Sequence, residues 1–487
     1  EKMKRVITLL LAAGLVLGAA SASQAVDFKA KGVYQFHGSI GDSSLKDHDG
    51  ADKFQAQQRI RTQIDMIASE NLKGVLFFEI GHITWGKGGD GTGSSTAIGN
   101  NAGGSLGTDG VNVKTRYAYV DWVIPQTEVQ VRMGLQNFTL PTFAVPNTVM
   151  GGGAADGAGL TISGQFTENV GATLFWLRAY DGEGANLSDN MDFVGLTVPV
   201  TFDGVKVTPW GMYGIIGNDS FEDFTGTDPT TYSGQYKALS NLLPVGSMGS
   251  VSTSSDDHGN AWWVGFASEL TMFDPFRVAL DAAYGSVDMG TAANGWDLKR
   301  AGWYAAALAE YKLDFMTPGI QFWYASGDDA NGKDGSEMLP TVRADVNVSS
   351  YGYDGAFYNT YNSQLGQTVA GTWGVYAYLK DISFIEDLSH VLRVGYVQGT
   401  NNTNMVRTLG EWAVTNPTQN NQLYLTTADH AWEVNFDSTY NIYENLTLCV
   451  ELGYINLDLD EGTWGRKLVD SYRDNNFRAG IEMQYSF

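Results

Sequence analysis

A transmembrane antiparallel β-barrel of about eighteen strands is the fold that this sequence predicts. Three observations carry it. The chain ends in a strand that alternates apolar and polar residues up to a terminal aromatic; it begins with an export segment and has no spanning helix afterwards; and short turns alternate with long loops along its length.

The last stretch, 477–487, puts Phe477, Ala479, Ile481, Met483, Tyr485 and Phe487 on one face. Arg478, Gly480, Glu482, Gln484 and Ser486 fall on the other. Period two over about ten residues describes a strand with one apolar and one wet face, long enough to cross lipid at a tilt.

At the other end, Lys4-Arg5 precede an apolar run from Val6 to Leu17, and Ser21-Ala-Ser-Gln-Ala25 offers small residues for cleavage. This is read as a signal peptide over 1–25, with a single barrel domain over 26–487. No later run approaches the ~18 apolar residues of a spanning helix, and a closed barrel crosses lipid without one. The mean hydropathy of −0.17 fits, because alternating strands hide their lipid face from any average.

In the first mature segment, Phe28, Ala30, Gly32, Tyr34 and Phe36 alternate with Lys29, Lys31, Gln35 and His37. The second sets Ala56, Ile60, Ile64 and Met66 against Gln57, Arg59, Arg61, Gln63 and Asp65. A face this charged cannot pack in a dry core, since each unpaired buried charge costs several kcal/mol. It needs a water-filled lumen.

Tight turns are expected at 69–72, 125–128, 167–170, 202–204, 273–276, 315–319, 384–388 and 443–445. Long polar or Gly-rich segments lie between them, among them 86–110, 217–259, 328–367 and 399–428. Eight turns and nine loops give eighteen strands, or sixteen if one hairpin lies within a loop, with short turns periplasmic and long loops outside.

The third loop, Phe138 to Gly159, is apolar, punctuated by proline and rich in glycine. Such a loop is expected to fold inward, narrow the pore and face Arg59, Arg61 and Arg132; the alternative is packing on other loops or at a subunit contact. Lys29, Lys31, Arg59, Arg61 and Arg132 share wet faces, either lining the pore with Asp156 or pairing locally with Asp65, Glu79 and Glu128.

The formal net charge of −24 excludes a nucleic-acid partner. Cys449 is the sole cysteine, so no internal disulfide forms. Neither a nucleophile elbow, a Walker loop nor Cys/His metal spacing is present, so no enzyme is expected; His390 could face lipid, but the sequence supplies it no partner. Two acidic runs are weak Ca²⁺ candidates: Asp47 and Asp49 in one, Asp328, Asp329, Asn331 and Asp334 in the other. The second echoes an EF-hand loop, but Gly327 and Met338 occupy its first and last ligand positions. Solvated acidic loops without a cofactor are the expectation.

Val26-Asp-Phe-Lys-Ala-Lys-Gly-Val-Tyr34, Thr115-Arg-Tyr-Ala-Tyr-Val-Asp-Trp122, Val131-Arg-Met-Gly-Leu-Gln136 and Tyr485-Ser-Phe487 together resemble the outer-membrane homotrimeric porins of sulfate-reducing bacteria, near the general porins. The resemblance implies a trimer in the outer membrane, lipopolysaccharide around it, and an assembly machinery that reads Tyr485 and Phe487. It implies passive diffusion of small hydrophilic solutes. A substrate-specific channel, in which Tyr34, Trp85 or Trp210 forms an aromatic slide, is the alternative, with a barrel enzyme or surface adhesin behind it. The third loop has one acid, Asp156, where many general porins carry several.

Overall fold

The computed structural model describes residues 26–42, 45, 54–86, 104, 113–181, 190–218, 220, 240–245, 247, 258–353, 364–409, 423–472 and 474–487. The expected signal peptide, 1–25, and the first acidic run, with Asp47 and Asp49, lie outside them.

Eighteen antiparallel strands close into a barrel. The first six are β1 (Asp27–Gly41), β2 (Gln55–Ser69), β3 (Leu72–Thr84), β4 (Val113–Val123), β5 (Gln130–Asn137) and β6 (Asp156–Gln165). The next six are β7 (Gly171–Asp181), β8 (Asn190–Thr197, resumed at Val200–Phe202), β9 (Val205–Gly217), β10 (His258–Phe273), β11 (Phe276–Thr291) and β12 (Asp297–Tyr311). Last come β13 (Thr317–Ala325), β14 (Thr372–Ile385), β15 (Leu388–Gly399), β16 (His430–Tyr443), β17 (Leu446–Asp458) and β18 (Asn475–Ser486). Both parts of β8 pair with β9, so the break around Pro199, which has no N–H to give the ladder, does not add a strand. Each strand pairs with its sequence neighbours, and β18 pairs back onto β1.

Closure leaves no free sheet edge. At the seam, Gly32 N donates to Phe487 O (2.9 Å) and Phe487 N to Gly32 O (3.0 Å). The Phe487 ring lies beside Tyr34 and Tyr485, with centroids 5.9 and 6.3 Å away. The two residues expected to mark the end of the barrel thus close it.

The pattern of burial is inverted relative to a soluble sheet. On β16, Trp432 is 48% exposed while Glu433 and Asn435 are 1% and 0%. Apolar residues face outward and polar ones inward, as lipid outside and water inside require. Outward aromatics form an upper girdle from Trp176 on β7 through Trp262, Tyr284, Trp303, Tyr324, Tyr396, Trp432 and Tyr454 to Phe477 on β18. At that height β1, β5 and β6 turn outward Ile40, Leu135 and Ala158, while Phe54 before β2 and Trp85 after β3 are exposed aromatics.

His390 does face lipid, and the structure supplies the partner that the sequence did not reveal. Its Nδ1 lies 2.8 Å from Ser438 Oγ, and its ring stacks on Phe436. Among the described residues no carboxylate completes a catalytic triad there.

Candidate functional site: the lumen and its two inward loops

The inner wall divides into two arcs. From β7 to β10 it is apolar: Phe175, Leu177, Phe193, Trp210, Met212 and Trp263 are all buried. The third loop covers that arc. It runs from Phe138 to Ala155, because Asp156 to Gly159, expected to belong to it, pair with β5 as the start of β6. Phe138 packs on Phe175 at 5.7 Å, and Leu140, Ala144, Val145, Val149 and Met150 join the same buried cluster. Apolar loop residues are stable inside a water-filled barrel only against an apolar wall.

Polar wall residues fix the loop. Asp281 on β11 accepts the N–H groups of Phe143, Ala144 and Val145. Gln321 on β13 donates to Ala144 O, and Arg277 on β11 donates to Phe143 O at 3.4 Å. These contacts join a loop that leaves β5 to the wall at β11 and β13, so the loop lies inside the barrel.

A second segment, between β13 and β14, also lies inside, a feature that its polar composition does not announce. Val342 and Arg343 donate to Val149 O, and Gly151 donates to Arg343 O, all at 3.1 Å. Farther along, Gly352 N donates to Glu433 Oε1 (2.8 Å), Ser349 Oγ to Glu433 Oε2 (2.9 Å) and Ser350 Oγ to Asp437 (2.9 Å). The two loops therefore cover the wall from β6 round to β17. The inner face of β1–β5 is left uncovered by these two loops, though Gln35, His37, Gln57 and Arg59 toward the extracellular end of β1 and β2 are buried.

That face carries a descending series of cations. Lys114 and Arg116 lie highest, Arg61 beside them, Lys31 and Lys29 below, level with Gln63 and Asp65, and Lys73 and Arg132 nearest the periplasmic turns. Arg61 Nε donates to Glu79 (2.7 Å), Arg116 bonds Glu79 (3.3 Å) and Asp156 (2.5 Å), and Arg132 Nε donates to Asp121 (2.6 Å). Glu79 and Asp121 sit behind their bases, whereas Asp156, at 20%, is slightly more exposed than Arg116, at 16%. Glu79 and Asp121 side chains are 5% and 7% exposed, against 45% for Lys114, 37% for Lys73 and 33% for Arg132. Around Glu79 and Asp121 the cations are thus the more exposed charges.

The contact between loop and wall falls on Arg116, not on Arg59 or Arg132. Arg116 also donates to Gly153 O. Simple alternation misses it, because a bulge opposite Phe77/Phe78 shifts the register of β4 and turns both Arg116 and Tyr117 inward. Arg59 is instead 2% exposed in the wall, donating to Gln35 Oε1 at 2.8 Å. Arg132 lies lower, its guanidinium over the Tyr119 ring at 4.1 Å. Gly152, at φ 67°, passes so close to Asp345 that a Cβ would sit 2.3 Å from its Oδ2. Burial raises the Asp345 pKa despite the neighbouring Arg343, and burial also lowers that of Arg343.

The expected aromatic slide is corrected. Tyr34 faces outward in the seam cluster, and Trp85 faces outward with its Nε1 on Gln58 (2.9 Å). Trp210 faces inward, but under the third loop's apolar arc. Phe77, Tyr117 and Tyr119 are aromatics on this inner face, with successive centroids 5.0 and 6.3 Å apart beside the arginines. Of the second acidic run, Asp328 is buried and accepts from Ser336 (2.5 Å) and Tyr424 (2.8 Å). Asp329 and Asp334 gather with Glu337, while Asn331 N donates back to Asp329 Oδ1.

No protein-family model and no curated protein matches the sequence. Solved structures do match its fold. Acinetobacter baumannii OccAB1 is similar at 10% identity and a TM-score of 0.53, with 96% of this chain and 98% of that chain covered. A BenF-like porin from Pseudomonas fluorescens Pf-5 is similar at 9% and 0.52, with 95% and 98% covered. Pseudomonas aeruginosa OccK2 (OpdF), solved in complex with glucuronate, is similar at 9% and 0.51, with the same coverage. At such identity the likeness concerns the fold: the whole chain takes the form of an outer-membrane porin barrel.

Proposed function

We propose that this chain is a bacterial outer-membrane channel through which small hydrophilic solutes diffuse passively, with a preference for anions, along the inner face of β1–β5. The observation that carries this reading is the placement of Lys114, Arg61, Arg116, Lys73 and Arg132 in the lumen in front of their buried acids. Rings of charged side chains set ion preference in pores, and a narrow low-dielectric passage focuses their field. Two inward loops favour a selective channel over a wide general pore. A similar barrel whose solved complex holds glucuronate, a carboxylate, supports the same direction.

Three copies would associate through β1–β6, where Ile40, Leu135 and Ala158 give a smoother outward face and Thr62 and Thr115 face outward. Polar side chains in hydrocarbon are best satisfied by a protein neighbour. Lipopolysaccharide would surround the remaining girdle, and assembly would read the Tyr485–Phe487 end.

Planar-bilayer recording tests the channel: discrete conductance steps, with saturable block by a small carboxylate, are expected. Purified, folded protein without stable steps would refute it. Cross-linking in mild detergent should trap three chains, and a monodisperse monomer would sink the trimer alone.

A further inference from the structure

The extracellular end of the barrel holds a cavity of about 300 Å³, at the lower end of the range for small-molecule sites. Four separate loops build it. The hairpin between β11 and β12 contributes Asn294, Trp296 and Asp297, the β9–β10 connection Ser247, the β13–β14 loop Asp328, and the helix Asn404–Leu409 Thr408.

Main-chain bonds hold these walls apart. Ala292 N donates to Trp296 O (2.8 Å), and Asp297 N donates to Lys333 O (2.8 Å), tying the hairpin to the neighbouring loop. Trp296 N donates to Asn294 Oδ1 (3.1 Å), and Ser247 Oγ donates to Pro244 O (2.7 Å). The space is built in, not left between soft side chains.

The lining selects a chemistry. Leu298 and Met405, each 2% exposed, give an apolar floor, and the half-buried Trp296 gives a flat wall. Asp297 takes only a 3.4 Å bond from the Thr291 hydroxyl, which leaves its carboxylate as an acceptor. Asn294 and Thr408 offer both donor and acceptor groups. Among the described residues no lysine or arginine side chain lines the space, and Asp328 adds a second carboxylate behind it. The buried Arg300 stands beside Asp328, away from the space, so an anion entering here would meet the exposed Asp297 with no cation of the described residues facing it. A neutral hydroxylated ring fits: its C–H face lies on the indole, and its hydroxyls donate to Asp297 and Asn294.

We propose that this cavity binds a neutral sugar ring at the outer surface, either free in the medium or as a unit of a polysaccharide. It uses none of the cations of the β1–β5 path and does not rest on the channel reading.

Saturation-transfer NMR on the intact protein in detergent micelles tests it with a neutral methyl hexopyranoside, the matching uronate and the matching amino sugar. The glycoside signal should fall about fivefold in Trp296→Ala and in Asp297→Asn, the scale of a lost ring contact or polar partner. Both variants should keep the heat-modifiable barrel and the conductance of the parent. Displacement by an oligosaccharide at lower concentration assigns the polysaccharide source, and displacement only at equal or higher concentration assigns the free sugar. The proposal is overturned if no glycoside contact appears, if contact survives both substitutions, or if the uronate or the amino sugar shows the stronger Trp296-dependent signal.

Discussion

Asp281, on the inner wall of β11, accepts the backbone N–H of Ala144 in the third loop at 2.7 Å. Its two oxygens also take Phe143 N at 2.8 and 3.0 Å and Val145 N at 3.0 Å. One carboxylate thus holds three successive amides of a segment that would otherwise have no ladder to join. Hydrophobic contact brings the loop to the apolar arc, and this acid sets where it stops.

Replacing Asp281 with Ala leaves three buried N–H groups without that acceptor, at about 1–3 kcal/mol each before water replaces it. The loop should loosen while the strands stay paired. Single-channel conductance and open-channel noise should both rise, with heat-modifiable migration unchanged. Conductance equal to the parent's would mean that the loop is held by packing alone.

Gly32 faces the terminal residue across the seam. A Cβ there would sit 2.4 Å from the Arg61 carbonyl oxygen and 2.5 Å from Phe487 Cζ. Backbone on one side prevents an easy escape, so Gly32→Ala should cost about 1–3 kcal/mol, as overpacking does. Urea unfolding in liposomes would read this as a lower midpoint with an unchanged slope. A midpoint equal to the parent's would show that the seam yields.

Asp121 neutralises Arg132 and Lys73 from behind, at 2.6 and 3.7 Å. Asp121→Asn keeps the side-chain shape and removes the charge. Two half-exposed cations would then act on the lumen unopposed, and anion preference should strengthen in a salt gradient. The shift should shrink at high salt, where the screening length falls to ~3 Å at 1 M. An unchanged reversal potential would place this group off the solute path.

Burial raises the pKa of Asp345, which lies against Gly152 at the meeting of the two inward loops. The folded protein therefore takes up this proton at a higher pH than the unfolded chain does. Acidification through the folded value stabilises the closed loop pair, and the gain stops growing once pH falls below the ordinary Asp value. Conductance should fall as pH drops from neutral into the mildly acidic range, and Asp345→Asn should abolish that part of the response. A fall that persists in the variant would assign the titration elsewhere.

The sequence carried the barrel plainly, because membrane and water impose period two on every strand and the turns punctuate it. All eight short turns fall where turn residues cluster, and the strand count follows from them. The site was less legible. Arg61 and Asp156 share an ion-pair ladder with Arg116, but Arg116 was hidden by the bulge in β4, which breaks the alternation that would have assigned its face. Arg59 shares a face with Arg61 yet is covered, since alternation gives the side of a strand and not its depth beneath neighbours. The second inward loop left no local signal. Its anchors, Glu433 and Asp437, are distant in sequence and look like any other lumenal acids.

The reversal potential of the purified protein in a planar bilayer under a tenfold salt gradient tests the central claim most directly. With its cations in front of its acids, the parent channel should favour anions. Changing Arg61, Arg116 and Arg132 together to Gln should move the potential toward cations, whereas Arg59→Gln alone should leave it nearly in place. A cation-selective parent, or a triple variant with an unmoved potential, would contradict the solute path along β1–β5.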